Sequence, residues 1–365
     1  MKTTLTPGIE LRTSPHVVKG NSVEKIMFHV VLALLPIAAF SVWQYGVSAL
    51  ASLLTITLVC IGSERLFNRL SEQTSTLSDW SATITGLLLA LSLPPAFPLW
   101  MGAVAGFVAI ALGKALFGGI GYNVMNPALV GRAFVQAAFP VAITTWIPAF
   151  SPNRFSEFAP TTFTLPLMMP PDISVWAKQA LDGFTGATPL AIWKFDNVLA
   201  TPADFLSGSV TASTGETSAI LILLCGMYLA ARKFLDWRIP VAVLGSAALT
   251  ALVFQIIDPN RYPDPLFVLL SGGLMLGAVF MATDMATSPV TPRGVWIYGA
   301  LIGVVTVMIR YFGGLTEGVM YAILIANALA PLIDQVTQPR VFGQIKIKQA
   351  KPAPAKPAPA QGDKA

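Results

Sequence analysis

The chain has 365 residues, of which 54% are hydrophobic and 11% charged, with a mean hydropathy of +0.67 and a formal net charge of +5. Soluble domains carry about 25% charged residues, so this composition excludes an ordinary soluble domain and implies a polytopic membrane protein. Two cysteines, Cys60 and Cys225, each inside an apolar block, and two unpaired histidines, His16 and His29, exclude a disulfide framework, an iron–sulfur cluster or a zinc site built by this chain alone.

Residues 1–25 are polar and basic, with Lys2, Arg12, Lys19 and Lys25. The first apolar block starts near Ile26 and lacks a small-residue cleavage site, so it reads as a retained anchor. Further blocks follow at Gly46–Ile61, Ser81–Leu93, Leu99–Phe117 and Pro127–Val141. After a polar interval come Ser218–Ala231, Ile239–Ile257, Leu266–Met281, Val295–Tyr311 and Gly318–Leu332, giving about ten spans. The third and fifth blocks are short and adjoin Pro94-Pro95 and the run Gly118-Gly119-Ile120-Gly121, a pattern of helices that break inside the membrane.

Basic residues alternate between loops: Arg65 and Arg69, then Lys114, then Arg232, Lys233 and Arg238, then Arg293. The positive-inside rule therefore puts both termini in the cytoplasm and the long polar loop outside, which is the periplasm of a bacterium. The net positive charge follows from this topology and not from nucleic-acid binding. The Pro/Ala/Lys-rich C-terminus reads as a disordered cytoplasmic tail whose lysines contact, at most, anionic lipid.

Landmarks recur in order. Gly86-Leu87-Leu88-Leu89-Ala90 precedes a long helix, Phe117-Gly118-Gly119 and Asn126-Pro127-Ala128-Leu129; Gly273-Leu274-Met275-Leu276-Gly277 precedes a long helix, Phe312-Gly313-Gly314 and Ala326-Asn327-Ala328-Leu329. Five helices per half implies halves of opposite orientation, an inverted repeat. The chain then divides into a segment 1–25, a first repeat 26–141, a loop region 142–217, a second repeat 218–334 and a tail 335–365.

The external loop contains Asp182-Gly183-Phe184-Thr185-Gly186-Ala187-Thr188-Pro189-Leu190. Asp-Gly is turn chemistry, and Pro189 disfavours helical backbone at Thr188, so its hydroxyl is expected on an open, extended loop. Taken alone the stretch reads as an ordinary turn. Ionisable residues near the spans are few: Glu64, Lys114, Arg132, Asp284, Arg310, Glu317 and Asp334. Most are expected at span ends, snorkelling to the interface. Asp284 and Lys114 are the candidates for an ion or proton path, with helix-end capping as the alternative. No nucleotide-binding fingerprint or P-loop is present, so any cofactor must be held by the helices and the external loop. Trp146, Trp176 and Trp193 border that loop as interfacial anchors or stacking platforms.

With these motifs assembled, the chain resembles the RnfD component of the Rnf electron-transport complex and is similar to the NqrB component of the sodium-pumping NADH:quinone oxidoreductase. The resemblance rests on SATITGLLLALSLPP, KALFGGIGYNVMNPALVGRAF, DGFTGATPL, FMATDMATSPVTPRG and EGVMYAILIANALAPLID, in order over most of the chain. It implies a fold of two inverted five-helix repeats, like ammonium and urea transporters. It implies FMN joined through its phosphate to the last threonine of Thr185-Gly186-Ala187-Thr188, installed by a flavin transferase, with Asp182 in the same motif. It also implies a non-covalent riboflavin among the helices and the other Rnf components (RnfA, RnfB, RnfC, RnfE and RnfG) as partners. Ferredoxin/NAD electron transfer would be coupled to Na⁺ or H⁺ movement. A two-electron drop of ~100 mV yields ~4.6 kcal/mol. Moving one charge against ~100 mV costs ~2.3 kcal/mol, so the ion stoichiometry should be low. A passive channel or secondary transporter of the same fold, and a scaffold with a vestigial motif, are the alternatives.

Overall fold

The structure, a computed structural model, describes residues 22–72, 76–166, 168, 171, 173, 187–196, 205, 211–216, 218–259 and 261–339. Among these residues the regular structure is entirely helical. Helix α1, Val23–Tyr45, starts where the Ser22 side chain accepts the Lys25 N–H, and ends at Gly46. Gly46 has φ +73°, and a Cβ there would overlap the Arg154 carbonyl, so only glycine allows α2, Val47–Leu70, to follow without a loop. Helix α3, Ser81–Ser92, stops at an extended Leu93 because the residue before Pro94 is barred from helical backbone. Then come α4, Leu99–Gly113, and α5, Pro127–Ala138, whose N-cap is Asn126. The loop region contributes α6, Pro189–Asp196.

The second half opens with α7, Ala219–Ala231, and α8, Arg238–Ile257. Helix α9, Pro265–Leu270, breaks at Ser271-Gly272-Gly273 and resumes as α10, Leu274–Leu276, which runs into a π turn at Gly277–Met281. Helix α11, Pro292–Phe312, starts at the N-cap Thr291, and α12, Val319–Thr337, closes the described chain.

Among the described residues, six helices are long and apolar enough to cross a membrane: α1, α2, α4 with its extension to Phe117, α8, α11 and α12. Side chains such as Leu58 and Ile256 on these helices stay exposed, as a lipid-facing wall requires. The chain is a multi-pass membrane protein. The remaining four of the ten apolar blocks are helical but too short to span alone. Helices α3 and α5 have 12 residues each and α7 has 13. At 1.5 Å per residue each covers about 20 Å of a hydrocarbon core near 30 Å.

Chain breaks at such depth need partners for every backbone polar group. At the first break, the Leu93 carbonyl accepts the Thr214 N–H at 3.0 Å and hydroxyl at 2.7 Å, and the Leu91 carbonyl accepts the Gly215 N–H at 2.7 Å. At the second, Arg310 donates to the Val268 and Ser271 carbonyls at 2.6 and 2.9 Å. The long helices pack through paired small residues. Gly102 and Gly106 of α4 lie on Ile56 and Cys60 of α2, and Gly299 and Gly303 of α11 lie on Ala242 and Ser246 of α8. Both pairs have the G-x-x-x-G spacing that lets helix backbones approach closely.

Candidate functional site

Thr188 stands at the N-terminus of α6. Its Oγ1 accepts the Ala191 N–H at 3.3 Å and its carbonyl accepts the Ile192 N–H at 2.9 Å, so it caps the helix from outside. Pro189 at the first helical position has no N–H to leave unpaired. The hydroxyl is not open as the loop chemistry suggested: Thr188 is only 6% exposed. It lines a cavity of about 10 Å³ with Leu190, Phe205, Glu216, Leu270 and Gly272. Small neighbours in sequence free a side chain locally, but here the α9 end and the segment before α7 close over it. Ala187 is described and half-buried, whereas Asp182, Thr185, Gly186 and Trp176 lie outside the described residues.

Beside Thr188 sits a cluster of buried and half-buried charge. Arg132 of α5 forms an ion pair with Glu317, just before α12. Arg310 of α11 is 1% exposed and bridges the α9 break. Lys194 of α6 donates to the carbonyls of Arg310, Gly313 and Leu315 at 3.0, 2.5 and 2.8 Å, capping the C-terminal end of α11 with a cation. Burial lowers the Lys194 pKa. Glu216, which the sequence pattern did not single out, completes the group. Trp193 packs on Phe267 and Tyr311, with ring centroids 6.3 and 5.6 Å away, so it faces the bundle and not a planar ligand.

A second site lies at the opposite end of α11. A cavity of about 460 Å³ opens between α1, α3, α5 and the end of the π turn, lined by Ile84, Leu88 and Phe280 and by the polar Lys114, Asn123 and Asp284. The two ion-path candidates, Lys114 and Asp284, therefore share one chamber. Lys114 Nζ donates to Glu64 Oε1 and Ser81 Oγ, both at 2.5 Å, and Thr76 donates to the same Glu64 oxygen at 2.6 Å. Asp284 accepts the Ala286 N–H and the Thr287 hydroxyl at 3.3 Å each, and Asn123 Nδ2 at 3.5 Å. Burial raises its pKa. Asn126 ties this end together, capping α5 through Ala128 and donating to the Met281 carbonyl at 3.1 Å.

Snorkelling does not describe these charges. Glu64, Lys114, Arg132 and Arg310 are each at most 5% exposed and bonded inward. Asp334 accepts the Val290 and Thr291 N–H groups at 3.1 Å each, pinning the start of α11 to α12. Their positions near helix ends were readable in sequence; the inward partners, up to 185 residues away, were not.

A sequence model of the NQR2, RnfD, RnfE family matches residues 10–343. The chain is 39% identical over 344 residues to the D component of the proton-translocating ferredoxin:NAD(+) oxidoreductase complex of Clostridium ljungdahlii, covering 91% of this chain and 96% of the relative. It is 36% identical over 345 residues to the D component of the Na(+)-translocating ferredoxin:NAD(+) oxidoreductase complex of Acetobacterium woodii, with 93% and 97% covered. With the D component of the ion-translocating oxidoreductase complex of Halorhodospira halophila it shares 38% over 358 residues, with 93% and 96% covered.

Proposed function

The chain belongs to the NQR2, RnfD, RnfE family, and from that membership we propose that it is the membrane subunit of an Rnf-type ion-translocating oxidoreductase that carries electrons on FMN esterified to Thr188. In this reading the complex couples ferredoxin/NAD electron transfer to movement of Na⁺ or H⁺. The names of two relatives differ in the ion, one proton and one Na⁺, so the family does not fix it.

The observation that carries the flavin reading is Thr188 at the N-terminus of α6. A phosphoester on that hydroxyl meets the positive end of the helix dipole, and the Ala191 N–H already points at the oxygen that would bear it. FMN bound there would supply one- and two-electron chemistry. The isoalloxazine does not fit the 10 Å³ beside the hydroxyl. It would stand outside the bundle, where a neighbouring flavoprotein subunit can exchange electrons with it. Burial of Thr188 also means that the flavin transferase must meet the loop before it closes, or open it.

The 460 Å³ chamber is within the 300–1,000 Å³ of ligand sites and combines apolar walls with few polar groups. We assign the non-covalent riboflavin to it, with Lys114 and Asn123 placed for its polar edge and Asp284 with Lys114 as the ion-path candidates. The inverted repeat is supported by matching order: α1–α5 correspond to α7, α8, α9 with α10, α11 and α12. The paired glycines of α4 on α2 match those of α11 on α8. The alternation of basic loops supports cytoplasmic termini in a bacterial inner membrane, with the Thr188 loop periplasmic.

The test is in-gel flavin fluorescence of the denatured protein, co-expressed with its flavin transferase, wild type beside Thr188→Ala. A fluorescent band absent from the variant is expected. A dark wild type made with an active transferase removes the electron-carrier reading, and a passive transporter built on the same chamber and broken helices takes its place.

A further inference from the structure

Polar atoms without partners collect around Glu216. Both Glu216 carboxylate oxygens, Ser213 Oγ, Ser271 Oγ, Arg132 Nε and Arg310 Nε are buried and make no hydrogen bond of ordinary geometry among the described residues; the hydroxyl and N–H of Ser213 lie close enough to the Glu216 carboxylate to act on it, but too poorly placed to satisfy it. Native interiors leave few such atoms, and each calls for an occupant or a change of charge state. Glu216 shares the 10 Å³ cavity with Thr188, room for about one water.

The groups facing Glu216 come from every element around it. Arg132 of α5 and Glu317 before α12 act on it directly, Arg310 of α11 lies on the Gly272 side, and Tyr45 of α1 feels its charge. Tyr311 and Lys194 adjoin Arg310. Both guanidiniums are already engaged, Arg132 by Glu317 and Arg310 by two carbonyls. With Glu216 ionised, the two arginines and two glutamates are neutral as a set; with Glu216 protonated, the set is cationic beside Thr188.

A hard metal ion takes six or more oxygens. This cavity holds one water's volume and has the Arg310 guanidinium next to it, whose Nη2 is 3.1 Å from where a Cβ on Gly272 would stand. A proton needs one oxygen and no added space.

We propose that Glu216 is a proton-binding site linked to the charge carried at Thr188, so that an anionic group on the Thr188 hydroxyl favours a proton on Glu216. The linkage is reciprocal: ionised Glu216 disfavours further negative charge at Thr188. Burial, then the Glu317 carboxylate, push the Glu216 pKa up to about 8, with Arg132 and the nearby Ser213 opposing. The identity of the charge rests on the flavin reading. There, an electron from the neighbouring flavoprotein reduces the flavin, and a proton from water binds the carboxylate. At pH above about 8, where Glu216 is otherwise ionised, electron and proton arrive together.

The experiment is infrared spectroscopy of the full chain in its complex as a function of pH. Wild type should show a protonated-carboxyl C=O band that bleaches above pH 8; Glu216→Gln should lack it, and Glu216→Asp should restore it at a displaced frequency. The bleaching should need at least tenfold fewer protons in FMN-loaded protein than in Thr188→Ala. A tenfold linkage moves a one-electron midpoint by about 59 mV, so the flavin potentials of wild type and Glu216→Gln should agree at pH 7 and diverge at pH 9, wild type lower. A band untouched by Glu216→Gln and Glu216→Asp, or a titration indifferent to what Thr188 carries, overturns the proposal. So does a titration displaced by Na⁺ but not by K⁺, which makes the cavity a metal site. In-gel fluorescence of the same samples reports the flavin separately. If wild type carries none, Thr188→Asp puts a carboxylate at the same place, and its failure to raise the Glu216 midpoint is then decisive.

Discussion

Arg132 and Glu317, 185 residues apart, form a buried ion pair that fastens the last helix of the first half to the turn before the last helix of the second. Removing one partner leaves the other charge buried, which costs about 3–5 kcal/mol, whereas an apolar pair of similar volume is often neutral. Arg132→Ala should therefore lower the thermal midpoint of detergent-solubilised protein strongly. The double variant Arg132→Met with Glu317→Leu should recover most of the loss. A double variant no more stable than Arg132→Ala would show that the pair is not where the stability lies.

Arg310 has a separate duty at the α9 break, where its planar fork reaches two carbonyls at once. A lysine is a point donor and cannot reproduce the fork. Arg310→Lys should leave one buried carbonyl unpaired, costing about 1–3 kcal/mol. Amide hydrogen exchange of α9 and α10 should quicken while α2 and α4 stay protected. Uniform exchange across both halves would contradict this local account.

The same helices separate what composition reveals from what it hides. Apolar block length announces α1, α2, α4, α8, α11 and α12, and Pro94 announces the end of α3. The G-x-x-x-G pairs at Gly102 and Gly299 are equally visible in sequence, but small residues recur in any helix bundle, so spacing alone does not single them out. Glu216 is not legible: a lone acid in a polar interval looks solvated, and only folding of the 211–216 segment against the α3 end buries its carboxylate oxygens, though the residue as a whole is half-buried. Thr188 is marked by its motif, yet nothing local signals its burial. Side chains from α9 and Phe205 cover it, and no local pattern encodes a contact that distant.

Glycine placement offers a contrast on two neighbouring helices. A Cβ on Gly303 would overlap Ser246 Oγ and the Val243 carbonyl, whereas one on Gly245 meets nothing within 4 Å. Gly303→Val should force α11 off α8 and destabilise by about 1–3 kcal/mol or more. Gly245→Ala should be neutral or stabilising by up to about 1 kcal/mol through helix propensity. Thermal midpoints in one detergent would decide, and equal shifts for both would refute the close-packing account.

Glu216 also predicts the pH dependence of stability. Its folded pKa of about 8 lies above the ordinary 4.5, so the folded state holds the proton more tightly than the unfolded chain. Its contribution is fully present below pH 4.5 and is lost progressively as pH rises to about 8. The wild-type midpoint, compared with that of Glu216→Gln, should therefore fall across this window and run parallel to it above. Parallel curves from pH 4.5 upward would mean that Glu216 is not buried as a neutral acid.

The two flavins assigned to opposite ends of α11 should be separable by filling one chamber. Thr85 and Leu88 line the 460 Å³ cavity, and neither lines the cavity beside Thr188. Thr85→Phe adds an aromatic ring where the non-covalent flavin would lie, while the cavity's Lys114–Glu64 pair keeps both its members. Flavin released by denaturation should fall at least several-fold, and covalent in-gel fluorescence should not change. Loss of both would point to a folding defect instead of displacement, which Thr85→Val, close in volume and retaining the released flavin, controls. If the released flavin is unaffected by Thr85→Phe, the riboflavin belongs elsewhere in the bundle, and Lys114 and Asp284 face a chamber reserved for water and ions.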